Sequence, residues 1–430
     1  MVLRLRDSRT GSVRSVRPSP GRSLTMYVCG PTVYDVAHVG HARTYLTFDL
    51  LRRAIEDQGQ RVYHVMNVTD FEDKIDARAR EIGISWRALA RREEARFLAD
   101  LERLNIRAPR AVPRASTFVP AMVQVARRLA RTGRIYREGD SWYYAPPPSD
   151  RWKNFPVGAD LARHAVPEPG HPFPKDDGRD FLIWRRQDPP LPSWPGPWGR
   201  GVPGWQLECY AMARHFLGIP VDLHGGGIDL LYPHHYAGNE IAFALDHAPF
   251  ARTFYHGAFV LYGGRKMSKS RGNLVPLATA IDRAGPDGVR WYLLGPPPTQ
   301  RLAWTDRGLR EAAAQVARLS ADLSAALEPG AGGSIEADDF RATAESVSDA
   351  LQRGFRPDLA LGHLRSLDET IRRASAPRLA RGEAPAARAA LRRIERLLGL
   401  SLGNRRPGQR NRARTSVGST ATNPSARGSR

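Results

Sequence analysis

The chain has 430 residues, 41% hydrophobic and 25% charged, with 65 Lys and Arg against 44 Asp and Glu for a formal charge of +21. That length exceeds one comfortable core and predicts several domains. No apolar run of about 18 residues could span a bilayer, and the arginine-rich start lacks the apolar segment of a secretory signal, so membrane and secreted classes drop out and a cytoplasmic protein is expected. The charge points to a polyanion such as nucleic acid, although only five of the cations are lysine, a sign of arginine-biased composition. The two cysteines, Cys29 and Cys209, exclude a disulfide scaffold; they read either as buried apolar thiols or as metal thiolates.

Residues 1–24 read as an N-terminal leader. Residues 25–29 (TMYVC) form a short buried strand, a Gly-Pro turn follows, and residues 38–59 show helical spacing up to Gly59. Residues 61–70 (RVYHVMNVTD) give the next strand. Such a βαβ unit implies a parallel sheet with a ligand crevice at the carboxyl ends of its strands. Charged amphipathic helices are predicted over 84–106 and 119–136. Residues 139–203 are so rich in proline and glycine that an inserted, loop-rich module is expected, after which strand signals return at 219–226 and 253–264. The fold expected is therefore α/β, a Rossmann-like parallel-sheet catalytic domain over 25–305. Four helical segments make a bundle over 306–404, and 405–430, with seven arginines and no acid, is a disordered basic tail.

Three motifs carry chemistry. HVGH, His38 to His41, sits where a strand hands over to a helix, whose free backbone donors and dipole suit a phosphate; helix capping and a zinc pair are the other readings. Gly40 between the histidines allows a ligand close to the backbone. GGRKMSKSRGN (263–273), with the KMSKS loop at 266–270, holds Lys266 and Lys269, two of the five lysines in an arginine-dominated chain. Compact, mobile ammonium groups can follow phosphate oxygens through a reaction. HGGGIDLLYPHHYAGNE (224–240) concentrates glycines with metal-capable side chains.

HVGH followed by KMSKS resembles the paired signatures of class I aminoacyl-tRNA synthetases. MYVCGPTVYD, NVTDFEDKIDARA, DFLIW, PSWPGPWGRGVPGWQLEC and HGGGIDL with PHH resemble the cysteinyl-tRNA synthetases over 26–275, and equally their paralogue in mycothiol synthesis, the ligase joining cysteine to the amine of a glucosaminyl-inositol. The resemblance implies ATP-dependent activation of L-cysteine, with Mg²⁺ accompanying ATP and Zn²⁺ binding the substrate sulfur. It implies Cys29, Cys209 and His234 as zinc ligands, and Thr32, Trp205, Gly226 and Asp229 around the cysteine. His38, Gly40, His41, Lys266, Ser268 and Lys269 would handle ATP, with His38, His41, Lys266 and Lys269 catalytic. His235 is expected as a structural histidine or a contact on the ATP side.

Three departures stand out. The family's glutamate four residues after the ligand histidine falls here on Gly238, because PHHYAGNE is longer by two; Glu240 is the expected replacement, provided the backbone is irregular through Ala237 and Gly238. Gln206 stands where a histidine is usual. After residue 400 the arginine tail takes the place of an anticodon-binding domain. The expected function is cysteine–tRNA ligation by a monomer, with tRNA as partner and no membrane. The alternatives are the amino-sugar ligase and a non-catalytic RNA-binding paralogue.

Overall fold

The computed structural model describes residues 2–18, 21–148, 178–267, 272–328, 334–380 and 382–403. Leu24–Val28 and Val221–Gly227 are buried almost throughout, as strands are when helices cover both faces of a parallel sheet. They form the middle of a four-stranded parallel sheet ordered Ala251–Gly257, Val221–Gly227, Leu24–Val28, Val62–Met66. Val28 is level with Met66 and with Gly225, so the chain leaves these strands along a common rim.

Helix Val39–Asp57 crosses one face, burying Leu46, Phe48, Leu50, Leu51 and Ala54 completely. Two glycines permit close approach. A Cβ at Gly225 would overlap the Phe48 ring, and one at Gly30 would overlap the Asn67 carbonyl. Chain passage at the rim thus depends on missing side chains.

Within 139–203, the described part holds more strand than its composition announces. Ile135–Glu138, Ser141–Tyr144, Phe181–Arg186, Gly199–Pro203 and Trp194–Gly196 form an antiparallel sheet in that order. Its prolines fall at strand ends and on the edge strand, where no ladder donor is lost. A Cβ at Gly196 or Gly201 would clash with the buried indole of Trp184, so glycine here serves packing.

The stretch expected as a leader belongs to the fold over 2–18. Arg4–Arg6 pairs with Val13–Ser15, while Leu3, Leu5 and Val16 are buried. Fully buried Asp7 accepts from the Phe254 backbone at 3.2 Å, and Ser8 donates to the Phe254 carbonyl at 2.8 Å. Alternation of arginine with leucine is the signal: period two puts Leu3 and Leu5 on one face.

The helices Asp306–Ala326, Ala337–Gln352, Pro357–Arg373 and Ala384–Leu398 lie where helical periodicity places them. They share one hydrophobic core with helix Val39–Asp57. At the end of Ala384–Leu398, Arg290 donates to the Leu398 carbonyl and pairs with Asp49 at 3.0 Å. Arg53 donates to the Arg396 carbonyl, and Asn105 to that of Gly399. Carbonyls orphaned at this helix end are thus satisfied by two arginines, favoured there by the dipole, and by one asparagine. The KMSKS positions 268–270, with Arg271, and the tail 405–430 lie outside the described residues.

Candidate active site

At the sheet's carboxyl rim a cavity of about 310 Å³ is lined by Cys29, Thr32, His38, Gly40, His41, Trp205, Cys209, Asp229, His234 and Lys266. Residues far apart in sequence meet here, at the place an open parallel sheet offers a ligand. Gly227 lines it; Gly226 does not. Gly226 stands one step behind, where a Cβ would press on Leu230 and lie 3.7 Å from Cys29 and from His235.

Cys29 follows strand Leu24–Val28, and Cys209 lies in the first turn of helix Gln206–Leu217. Their sulfurs are 3.3 Å apart, both buried and free. His234 Nε2 is 3.1 Å from Cys209 Sγ; its Nδ1 lies 2.7 Å from Gln206 Oε1, and its ring stacks on Trp205 at 4.2 Å. A carbonyl oxygen accepts, so Nδ1 carries a proton, and Nε2 is the nitrogen turned to the sulfur. Burial opposes ionisation of both thiols. Against it, the hydrogen bond from Cys29 and the charge of His234 bring Cys209 below the usual thiol range, while Cys29 is pushed well above. Without a metal the pair thus holds one proton, because two thiolates this close repel. Cys29, Cys209 and His234 each bring a ligand atom within 4.8 Å of the others, a soft donor set able to hold a metal ion.

His38 and His41 cap helix Val39–Asp57. His38 Nδ1 accepts from the Gly40 amide at 3.1 Å, His41 Nδ1 from the His38 amide at 3.5 Å, and the rings stack at 3.8 Å. The capping and the phosphate readings of HVGH therefore merge. With Nδ1 occupied as acceptor, each neutral ring has its proton on Nε2, ready to donate. Burial, and for His38 the neighbouring His41, lower the pKa to about 2 for His38 and about 4 for His41. These are neutral donors at pH 7, not cations.

Asp229 and Lys266 pair at 3.0 Å, and the ammonium lies 4.4 Å over the Phe259 ring. Lys266 sits on the short strand Arg265–Lys266 after a turn whose glycines, Gly263 and Gly264, take positive φ. Thr32 bridges to Thr69, whose hydroxyl donates to buried Glu208 at 2.7 Å. Glu240 is buried in helix Tyr236–Asp246, and the irregular path through Ala237 and Gly238 is absent because both lie within that helix. The irregular backbone comes earlier, at Tyr232, and Glu240 joins no metal-capable group among the described residues.

Residues 15–314 match the model of the tRNA synthetases class I (C) catalytic domain. The chain belongs to that family. It is therefore a ligase of the class I aminoacyl-tRNA synthetase type. It is 40% identical over 333 residues, 75% of this chain and 81% of the relative, to the L-cysteine:1D-myo-inositol 2-amino-2-deoxy-alpha-D-glucopyranoside ligase of Thermobispora bispora. To the cysteine–tRNA ligase of Thermococcus onnurineus it is 36% identical over 326 residues, 74% of this chain and 67% of the relative. Its fold is that of the methionyl-tRNA synthetase of Mycobacterium tuberculosis solved with methionyl-adenylate, with TM-score 0.62, 18% identity and coverage of 89% and 93% of the two chains. No helix among the described residues is long and apolar enough to cross a membrane.

Sequence reasoning passed over Asn67, Thr69 and His256. Asn67 Oδ1 accepts from the Gly30 amide at 2.9 Å and lies 3.6 Å from Cys209 Sγ, while His256 reaches His235 at 2.8 Å from the edge strand. His256 is an ordinary residue of its strand, and Asn67 and Thr69 stand just beyond the end of strand Val62–Met66. Only the register across the sheet brings them to the rim.

Proposed function

We propose that the protein activates L-cysteine with ATP and transfers the cysteinyl group to tRNA. The observation carrying this is the meeting, in one cavity, of a thiol-selective donor set with a helix N-terminus and a lysine suited to phosphate. Cys29, Cys209 and His234 would hold Zn²⁺, with Trp205 stacked behind the imidazole. When bound, zinc supplies a soft Lewis acid that takes a thiolate in preference to a hydroxyl, which separates cysteine from serine without an editing step.

Asp229 would pair with the α-ammonium of cysteine. In the structure Lys266 occupies that carboxylate, so substrate ammonium and Lys266 compete for it, and cysteine binding releases the lysine toward ATP. The cysteine carboxylate oxygen then bonds to the α-phosphorus as pyrophosphate leaves. His38 and His41 donate from Nε2, Lys266 contributes charge and Gly40 lets the phosphates approach the backbone, Lys269 and Ser268 would act on the phosphates as the family resemblance implies, and Mg²⁺ accompanies ATP. In the second half, a terminal ribose hydroxyl of tRNA attacks the mixed anhydride and AMP departs. The formal charge of +21 supports a nucleic-acid acceptor.

A second acceptor, the amine of a glucosaminyl-inositol, is favoured by the amino-sugar ligases, which are 40% and 39% identical to this chain. Cysteine-dependent exchange of pyrophosphate into ATP tests the first half, with serine much poorer. His41→Ala and Lys269→Ala should each slow exchange by about 10² or more while the fold persists. Absence of exchange with zinc and magnesium supplied refutes the reading. Radiolabelled cysteine offered tRNA in one reaction and the amino sugar in another decides the acceptor.

A further inference from the structure

We infer that a second cavity, which shares Trp205 with the active site, binds the sugar ring of the cysteinyl acceptor. The inference rests on the cysteine activation proposed above and deepens its second half.

Trp205 lines both cavities. Two further contacts join them. Thr69, which lines the active site, donates to Glu208, which lines the second cavity, at 2.7 Å, and Lys74 of the active site pairs with Glu72 of the second cavity at 3.5 Å. A ligand held there would lie beside the cysteine subsite, where the Trp205 ring stacks on His234. Much of the second cavity is built by the proline-rich inserted module. Leu182 and Arg185 come from strand Phe181–Arg186, Val202 and Pro203 from Gly199–Pro203, and Leu191 from the connection before Trp194–Gly196, whereas Glu72 and Asp73 open helix Asp73–Glu81 of the sheet domain. Such a seam between two units is a common seat for a ligand.

The lining chooses the class of ligand. Among the described residues four acids, Glu72, Asp73, Asp76 and Glu208, line the cavity against one cation, Arg185, which Asp73 already holds at 2.7 Å. Ionised carboxylates only accept hydrogen bonds, so a ligand here must bring donors, and phosphate would bring like charge instead. Two of the acids have capacity left. Glu72 Oε2 is buried without a hydrogen-bond partner, and burial pushes this carboxyl above its usual range. Glu208 is only 2% exposed, and among the described residues its carboxylate takes a single hydrogen bond, the one from Thr69. Most of the remaining lining, including Phe71, Leu182, Leu191 and Val202, is apolar. Hydroxyl or ammonium donors on the edge and C–H groups on the faces are what a sugar ring offers such a surface. The terminal ribose of tRNA and the amino sugar both fit this description.

Steady-state transfer of radiolabelled cysteine by the full-length protein, with zinc and magnesium supplied, tests the site. One series is offered tRNA and the other the glucosaminyl-inositol, so the acceptor used identifies the sugar. Glu72→Gln removes a charge and keeps the shape, and Leu191→Trp fills the cavity from a half-buried loop position. Each should raise the KM for the acceptor by about tenfold or more, with the KM values for cysteine and ATP in pyrophosphate exchange within about twofold of the unaltered protein. An unchanged acceptor KM in both variants overturns the inference. A parallel rise in the KM for cysteine overturns it too, by making the cavity part of the cysteine subsite. Exchange without transfer to either acceptor overturns it while leaving cysteine activation standing; no exchange at all removes activation and the inference with it. Should Leu191→Trp fail to fold by circular dichroism, Glu72→Gln decides.

Discussion

The two histidines of HVGH work as neutral groups, and this fixes their pH behaviour. Their pKa values of about 2 and about 4 lie below the ordinary 6.5, chiefly through burial. Buried His64 behaves alike, lowered to about 3 by burial and by nearby Arg52. A group whose pKa is depressed in the folded state binds fewer protons there than when unfolded, so its share of stability is full above pH 6.5 and is lost as pH falls from 6.5 toward 4 and below. Thermal melts at a series of pH values should therefore show the midpoint falling already between pH 6.5 and 5, above the range where carboxylates titrate. The exchange rate should show no inflection near 6.5 from His38 or His41, as these rings stay neutral in the folded enzyme down to about pH 4.

Among the elements, the joint between sheet domain and bundle rests on a buried ion pair. Arg290 is fully buried against Asp49, with Arg53 on the same carboxylate at 2.8 Å, and these arginines close the end of helix Ala384–Leu398. Burial opposes ionisation of Asp49; the two arginines and the Arg107 amide outweigh it and hold the carboxylate below its usual range. Removing Arg290 leaves Asp49 to Arg53 and the Arg107 amide and takes the donors from the buried Leu398 and Leu104 carbonyls, at a cost of about 3–5 kcal/mol. Urea unfolding of Arg290→Met should show a loss of that size, and limited proteolysis should cut first around residue 400. A loss within about 0.5 kcal/mol would mean that the joint does not depend on the pair.

At the scale of the whole molecule, the arginine excess is spread along the chain and densest in 405–430. If that segment contributes to RNA binding electrostatically, its deletion should weaken tRNA binding and flatten the dependence of affinity on salt, leaving pyrophosphate exchange untouched. An unchanged salt slope would remove the tail from the interaction.

The amino-acid sequence determined whatever depends on local period and on residue chemistry. A short, continuously apolar run in TMYVC and 3.6-residue burial in the bundle are properties of neighbouring positions, and so are the helix cap at HVGH and the rarity of lysine outside KMSKS. Three of the expected metal donors, Cys29, Cys209 and His234, were legible from motif resemblance, and the fold brings them within 4.8 Å. Glycine and proline misled where they serve packing, as at Gly196 and Gly201 beneath Trp184. Only the tertiary structure decided which nitrogen of each histidine faces a sulfur, that Glu240 stays within its helix while His235 meets Cys29, and that Lys266 rests on Asp229. Those outcomes depend on strand register and on one non-helical residue, Tyr232, whose effect reaches side chains from four separate segments. Contact across such distances in the chain has no periodic trace along it.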